Sequence, residues 1–409
     1  MGQNLRTIDW NVTTMDRNLR TIDWNVTTMG RNLRTIDWNV TTMGRNLRTT
    51  DWNVTTMGRN LRTTDWNNPF WIFQYLDGNY DLVSLEDRIH FVLLGIQVIY
   101  YPLLAAIGVS VNLLTIVILS RGKCGLSKCV TRYLVAMAAA DLLVVIFDLI
   151  LRQIPIANQV QFDFLDSIPV CNIHAVLLFA ATDCSVWFTV TFTFDRFVAI
   201  CCQNLKTKYC TERTAAVVLG TVSVLGCLKN TFWYFLFTGQ YLLYNEPWFC
   251  SVPVFVMISR VWAVIELLHY ILTPGIPFVL ILLLNVFTVR YILVASRARR
   301  RLRGHSSGES PRDPEMESRR KSIILLFVIS GNFILFWALF MVYSVCNRVW
   351  FMGFYSVILP LFIQELGFML QLMSCCTNTC IYAVTQTKFR EQLKNVVKYP
   401  FTVIIKLIK

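Results

Sequence analysis

The chain has 409 residues, 55% of them hydrophobic and only 15% charged, with a net charge of +13 and a mean hydropathy of +0.49. Soluble globular domains carry about 25% charged residues, so this composition excludes one and points to membrane-embedded helices. Nucleic acid is not the expected partner of the positive charge, because the basic residues near the apolar spans sit in short loops facing lipid headgroups.

Residues 1–66 are an internal repeat in which NLRTIDWNVTTMGR recurs, with small changes, from Asn4, Asn18, Asn32 and Asn46, with a truncated copy from Asn60. The unit is poor in apolar residues and shows neither helical nor strand periodicity, so a disordered extracellular segment is expected. Its plainest origin is a recent duplication, or an error in the gene model, with no binding role. Each full copy carries Asn-Val-Thr, which makes Asn11, Asn25, Asn39 and Asn53 glycan acceptors. Residues 67–90 read as a juxtamembrane segment. No basic-then-apolar signal opens the chain, so the first span is expected to direct insertion.

Seven apolar segments follow, near Phe91–Ser120, Tyr133–Leu151, Val170–Cys202, Ala215–Tyr244, Trp262–Val294, Ser322–Val345 and Phe351–Val384. Each suffices to cross a hydrocarbon core, which needs about 20 helical residues. The expected fold is all-α, a seven-transmembrane bundle over residues 91–385 with an amphipathic helix and tail over 386–409. Arg121, Lys123, Lys128 and Arg132 follow the first span, Lys206, Lys208 and Arg213 the third, and an arginine-rich stretch from Arg297 to Arg303 the fifth. The opposite loops are acidic or neutral. The bias places the N-terminus outside and the C-terminus in the cytoplasm.

Polar residues inside the spans carry the functional signal. Asp141, in the second span, needs a partner, a proton or an ion; Asn112 and Asn378 could reach it, as a packing node or a monovalent-cation site. Cys171 opens the third span and Cys250 follows the fourth. Both lie on the expected outer face, where an oxidising compartment permits a bridge. Asp195 and Arg196 close the third span, either as a helix-end pair in contact with water or as an arginine released to a partner when helices move. Asp183 and Lys229 lie about 18 and 21 Å from the inner ends of their spans, counted at about 1.5 Å per residue. They form a buried pair unless Lys229 reaches outward. Glu266 and His269, spaced i, i+3, share a helix face as pocket wall or as packed core. No phosphate loop, metal spacing or nucleophile–base set occurs, so no enzyme is expected.

From Phe91 to Lys394 the chain resembles the rhodopsin-like G-protein-coupled receptors, through Asn112 in GVSVN, Asp141 in AAAD, Cys171, Arg196 in FDRFVAI, Pro277, Trp337 in FILFW, and Asn378 with Tyr382 in NTCIY. Closer in, LVAMAAADLL, SVWFTVTFTFDRFVAIC and TKFREQLK look like the orphan G-protein coupled receptor 139 group. The resemblance implies a plasma-membrane, multi-pass receptor with an extracellular small-molecule or peptide ligand. Its partners would be a heterotrimeric G protein of the Gq type, membrane lipids, arrestin and receptor kinases. It implies activation through Asp195, Arg196, Trp337, Asn378 and Tyr382. An allosteric sodium ion would sit at Asp141, Ser185, Trp337, Ser374 and Asn378. The ligand would meet Glu266, His269, Phe340 and Ser344.

Leu178 stands where amine receptors place an aspartate, which disfavours a biogenic amine. Leu178 and Phe340 also replace the two charges that would hold an aromatic amino acid. Leu339 and Thr379 replace prolines of the sixth and seventh helices, and the sixth is expected to kink less. Arg319 takes the place of an acid that would lock Arg196, so Asp195 alone is expected to restrain it and basal activity to be appreciable. A non-signalling homologue and a membrane transporter are the alternatives, although no paired halves suggest the latter. A photoreceptor would need a lysine in the seventh span, and there is none.

Overall fold

The computed structural model describes residues 84–158, 162, 168–236, 259–303 and 314–408, together with Asn32–Leu33 and Asn46–Leu47. Those last two pairs align in parallel, equivalent residues of adjacent repeats facing each other. The rest of the repeat with its four sequons, Cys250 and the serine-bearing stretch after Arg303 lie outside the described residues.

Seven long helices form the bundle: α1 (Leu85–Ser120), α2 (Lys128–Asn158), α3 (Ile168–Cys201), α4 (Glu212–Asn230), α5 (Arg260–Tyr270 and Ile276–Arg303, joined through Ile271–Gly275), α6 (Pro314–Phe351) and α7 (Leu361–Thr385). An eighth helix, α8 (Thr387–Ile408), follows directly. Short helices Gln203–Tyr209 and Trp233–Leu236 extend the chain after α3 and α4. A membrane protein keeps its backbone polar groups inside such helices because the hydrocarbon offers no partners.

Among the described residues, α1 to α6 are long and apolar enough to cross a membrane by composition. The seventh helix is more polar, since it carries Gln364, Glu365, Gln371 and Asn378. It packs against α6 on one side and α1 on the other. The protein is a multi-pass membrane protein.

Local chemistry sets the helix ends. Ser84, Ser127 and Thr211 cap α1, α2 and α4 through their hydroxyls, which accept from the backbone amides of Asp87, Val130 and Thr214. The seventh span starts later than Phe351, contrary to the hydropathy reading. Phe351 is the last residue of α6, and residues 352–360 form a connection. Gly353 adopts φ +85°, its amide donates to Trp350 O at 2.8 Å, and the Phe354 amide donates to Val349 O at 3.3 Å. This is a glycine-terminated helix end, and Pro360 then caps α7. Hydropathy alone could not see it, because Phe354, Val357 and Ile358 keep the connection apolar.

Two helices depart from regularity. In α5, Thr273 leaves helical geometry (φ −151°, ψ 106°) ahead of Pro274, so the break centres one turn before Pro277. A proline ring clashes with the preceding turn and removes an amide donor. In α6 no proline follows the first residue, Pro314, and the helix runs 38 residues without interruption, in keeping with Leu339. The third helix packs against α2, α4, α5 and α6 and is the axis of the bundle. Its buried column includes Leu178, Val186, Phe192 and Val198. Outward-facing Val217, Val224, Leu228, Val279, Leu283 and Val286 are exposed, as lipid contact requires.

Candidate functional site

Three polar layers lie along α3. The first is at the Cys171 end. Cys171 is 1% exposed and disulfide-bonded, while its expected partner Cys250 lies outside the described residues. Below it, His269 packs edge-on against Phe179 at 5.3 Å and Trp233 at 5.5 Å. Tyr270 and Trp337 each meet Phe340 edge-on, at 5.9 and 6.1 Å. Ser344 is buried one turn further along α6.

Glu266 and His269 do not serve one group of neighbours, despite their spacing. Glu266 pairs with Arg348 of α6 at 2.8 Å, whereas His269 turns to α3 and Trp233. Residues three apart on a helix differ by about 60° in azimuth, enough to separate two neighbours. Arg348 was missed because the sixth span was ended at Val345; an arginine following so long an apolar run was the available signal. Across the bundle, Arg152 pairs with Asp148 at 3.0 Å and lies 5.5 Å from the Phe368 ring centroid.

The second layer holds two buried carboxylates. Asp141, 2% exposed, accepts from Ser185 Oγ at 2.5 Å and from Asn378 Nδ2 at 2.6 Å. Asn112 does not reach it; its amide donates instead to Gly108 O at 2.9 Å and Cys375 O at 3.0 Å, stapling α1 to α7. Ser374 accepts from Asn332 at 3.4 Å and has no bond to Asp141. Trp337 is buried, stacked on Phe333 at 5.6 Å. The oxygen donors at this position are the Asp141 carboxylate and the Ser185 hydroxyl, and no cationic side chain is bonded to the carboxylate among the described residues; hard oxygens of this kind are the donor type that alkali cations take. Among the described residues, no group of three or more His, Cys, Asp and Glu is placed to hold a metal.

Asp183 anchors the other network. Lys229 Nζ lies 2.8 Å from its Oδ2, and Asn230 Nδ2 donates to the same oxygen at 2.6 Å. Lys229 also donates to Thr273 Oγ1 at 3.1 Å, and Trp187 Nε1 does so at 3.3 Å. The ion pair expected from similar depths therefore forms, and the break in α5 is tied into it. Asn230 and Thr273 carry no signal of their own in the sequence, since uncharged polar residues are common in spans.

The third layer is at the opposite end. Asp195 is fully buried, and Arg196 donates to its Oδ2 from both Nε, at 3.0 Å, and Nη2. Cys129 Sγ donates to Asp195 Oδ1 at 3.2 Å, and Cys210 Sγ to its backbone oxygen at 3.6 Å. Burial, then the neighbouring Asp195 carboxylate, pushes the Cys210 thiol up to about 12, which keeps it a donor at neutral pH. Asp195 is not the sole restraint expected from the sequence. Arg196 Nη1 also donates to Ser322 Oγ of α6 at 3.2 Å. Ser322 escapes sequence reading because attention falls on charge, whereas here a neutral hydroxyl three residues after Arg319 is in reach. A crevice of about 650 Å³ opens beside Arg196, lined among others by Leu126, Lys206, Lys321, Leu325 and Lys388. Tyr382 is buried, edge-on to Phe389 of α8 at 5.9 Å.

The family described as 7 transmembrane receptor (rhodopsin family) matches residues 111–382, more than half of the chain. The chain belongs to the rhodopsin family of seven-transmembrane receptors. The matched segment takes in Asn112, Asp141, Arg196, Trp337 and Tyr382, that is, all three polar layers. The chain is also similar to the compound eye opsin BCRH2 of Hemigrapsus sanguineus, 25% identical over 223 residues, or 54% of this chain. It spans 57% of the length of that curated relative.

Proposed function

We propose that this receptor-family chain converts binding of an extracellular ligand into activation of a heterotrimeric G protein. One observation carries the reading: Arg196, at the foot of the bundle's axial helix, bridges Asp195 and Ser322 of α6 beside a basic crevice. Two polar contacts hold the arginine, an ion pair with Asp195 and a single hydrogen bond to the uncharged Ser322 hydroxyl. Displacing α6 breaks the weaker one, widens the crevice and exposes the guanidinium to a partner. A ligand does this by binding one of two arrangements better, which is a shift of population.

The ligand's side is the Cys171 end, where His269, Phe340, Ser344 and Glu266 supply aromatic and polar wall. The lysine and arginine bias supports a cytoplasmic Arg196 end, an extracellular N-terminus and residence in the plasma membrane. Sodium would supply a positive charge beside Asp141, with Ser185 and Asn378 orienting the carboxylate. The motif likeness to the orphan receptor 139 group supports Gq-type coupling. Basic loops and α8 support contact with anionic lipid, and the arginine-rich stretch after α5 with its serines supports arrestin and receptor kinases as later partners. The opsin likeness does not extend to light sensing through a Schiff base, because Leu361–Thr385 contains no lysine.

The test is guanine-nucleotide exchange on a panel of purified heterotrimers, driven by the full chain in membranes. The parent should accelerate exchange on at least one heterotrimer without added ligand, and Arg196→Ala should reduce this at least about tenfold. Replacing choline chloride with sodium chloride should lower the basal rate in the parent and not in Asp141→Asn. A parent indistinguishable from receptor-free membranes across the panel overturns the reading.

A further inference from the structure

The connection between α6 and α7 is apolar and uncovered. From Val349 to Gln364 no residue is charged. Phe354, Val357, Ile358 and Leu361 are exposed, Ile358 to 72%, and Tyr355 projects fully from the surface. Trp350 and Phe351, which end α6, are exposed as well. Single exposed apolar residues need no explanation, but a run of this kind marks an interaction surface. The start of α1, at the same end of the bundle, is of the opposite kind and carries Glu86, Asp87 and Arg88.

The height of this connection follows from α6. Its apolar run begins at Ile323, just after Lys321 and Ser322. From Ile323 to Trp350 is about 40 Å at about 1.5 Å per residue, which matches a bilayer with its headgroups. The connection therefore stands at the headgroup level. It does not lie deeper, because the amides of residues 355–359 donate to no backbone carbonyl among the described residues. Unpaired backbone groups need water, which the hydrocarbon does not supply. The exposed face of α6 leads up to it: Ile324, Val328, Leu335 and Val342 share one stripe, and Trp350 follows about two turns beyond Val342. The loop thus continues an apolar surface that already faces lipid.

We propose that residues 350–361 are an interfacial anchor. The side chains of Phe354, Tyr355, Val357 and Ile358 insert among the lipid headgroups at the Cys171 end, while the backbone of the loop stays hydrated. Trp350 and Tyr355 suit this level because each joins an apolar ring to one polar atom. The partner is the phospholipid surface itself, and it holds the adjoining ends of α6 and α7 at a fixed height and limits their tilt. The anchor also explains why hydropathy and structure differ at Phe351: the apolar signal is real, but it marks a loop in the interface and not the start of a span. Nothing in it depends on G-protein coupling or on which leaflet faces the cytoplasm.

Photocrosslinking of the full chain in phosphatidylcholine nanodiscs tests this. The photoreactive residue p-benzoylphenylalanine is incorporated at Tyr355 and, as a lipid-facing reference, at the exposed Val224 of α4. Irradiation should add the mass of one phospholipid to both proteins. Ile358→Glu should lower the adduct at Tyr355 at least about fivefold and leave that at Val224 unchanged, because charge is held out of the level where apolar side chains settle. A covalent dimer as the main product at Tyr355 would assign the surface to a second copy of this chain. An internal cross-link to residues 1–83 would assign it to the N-terminal segment. Either result overturns the anchor, as does a missing lipid adduct at Tyr355 beside a normal one at Val224, or an adduct that Ile358→Glu does not reduce. If the protein with the probe at Tyr355 does not fold, the probe at Val357 is read in the same way.

Discussion

Lys229 sits in the last turn of α4, a lipid-exposed span, and is nonetheless held, because Asp183 and Thr273 both accept from its ammonium. Asn230 takes the remaining load on Asp183. Breaking a buried pair by removing one partner leaves an uncompensated charge, and removing both does not. Asp183→Ala and Lys229→Ala should each lower folded surface expression and Tm. The double variant should be less damaged than the sum, with a coupling of about 1–3 kcal/mol, readable as a double-mutant cycle in Tm. Additive losses would contradict the pair. Counting residues along two spans was enough to place these charges at one depth. Azimuth was not countable in the same way, which is why Asn112 was matched to Asp141 when its amide in fact reaches the Cys375 carbonyl.

At the level of elements, two helices show how packing refines a hydropathy reading. The α5 break is written in Thr273-Pro274-Gly275, a sequence that weakens a helix from three sides: a β-branched residue, a missing donor and a flexible backbone. What it achieves, a bond from Lys229 to α5, depends on where α4 stands. Gly367 shows the reverse case. A Cβ there would lie 3.1 Å from Phe340 Cα and 3.2 Å from Phe340 N, so α6 and α7 touch through this glycine. Gly367→Val should force the two helices apart and cost about 1–3 kcal/mol, seen as a lower Tm of the solubilised protein. It should also disturb the Phe340–Phe368 contact at 5.3 Å, and an unchanged Tm would show that the contact yields freely. The late start of α7 belongs here too: a glycine-terminated helix end and Pro360 outweigh a run of apolar residues.

For the whole molecule, orientation is the outstanding physical statement, and it follows from charge in short loops. An epitope tag placed before Asn4 should be stained on unpermeabilised cells. Peptide-N-glycosidase should increase electrophoretic mobility, and Asn→Gln at positions 11, 25, 39 and 53 together should remove that response. A tag visible only after permeabilisation would reverse the topology.

The sequence by itself determined the membrane class, the number of spans and the matching depths of Asp183 and Lys229. These follow from hydropathy and from a fixed rise per residue, both of which are local. It also contained the family, because the motif residues fall in a set order along six of the seven helices. Only the tertiary structure decided which partners the charges find: Ser322 for Arg196, Arg348 for Glu266, Thr273 for Lys229 and a bare amide for Glu365. Those choices depend on helix rotation and on the approach of segments between 44 and 268 residues apart. That packing is a property of the whole bundle, with no counterpart in the order of residues along any one span.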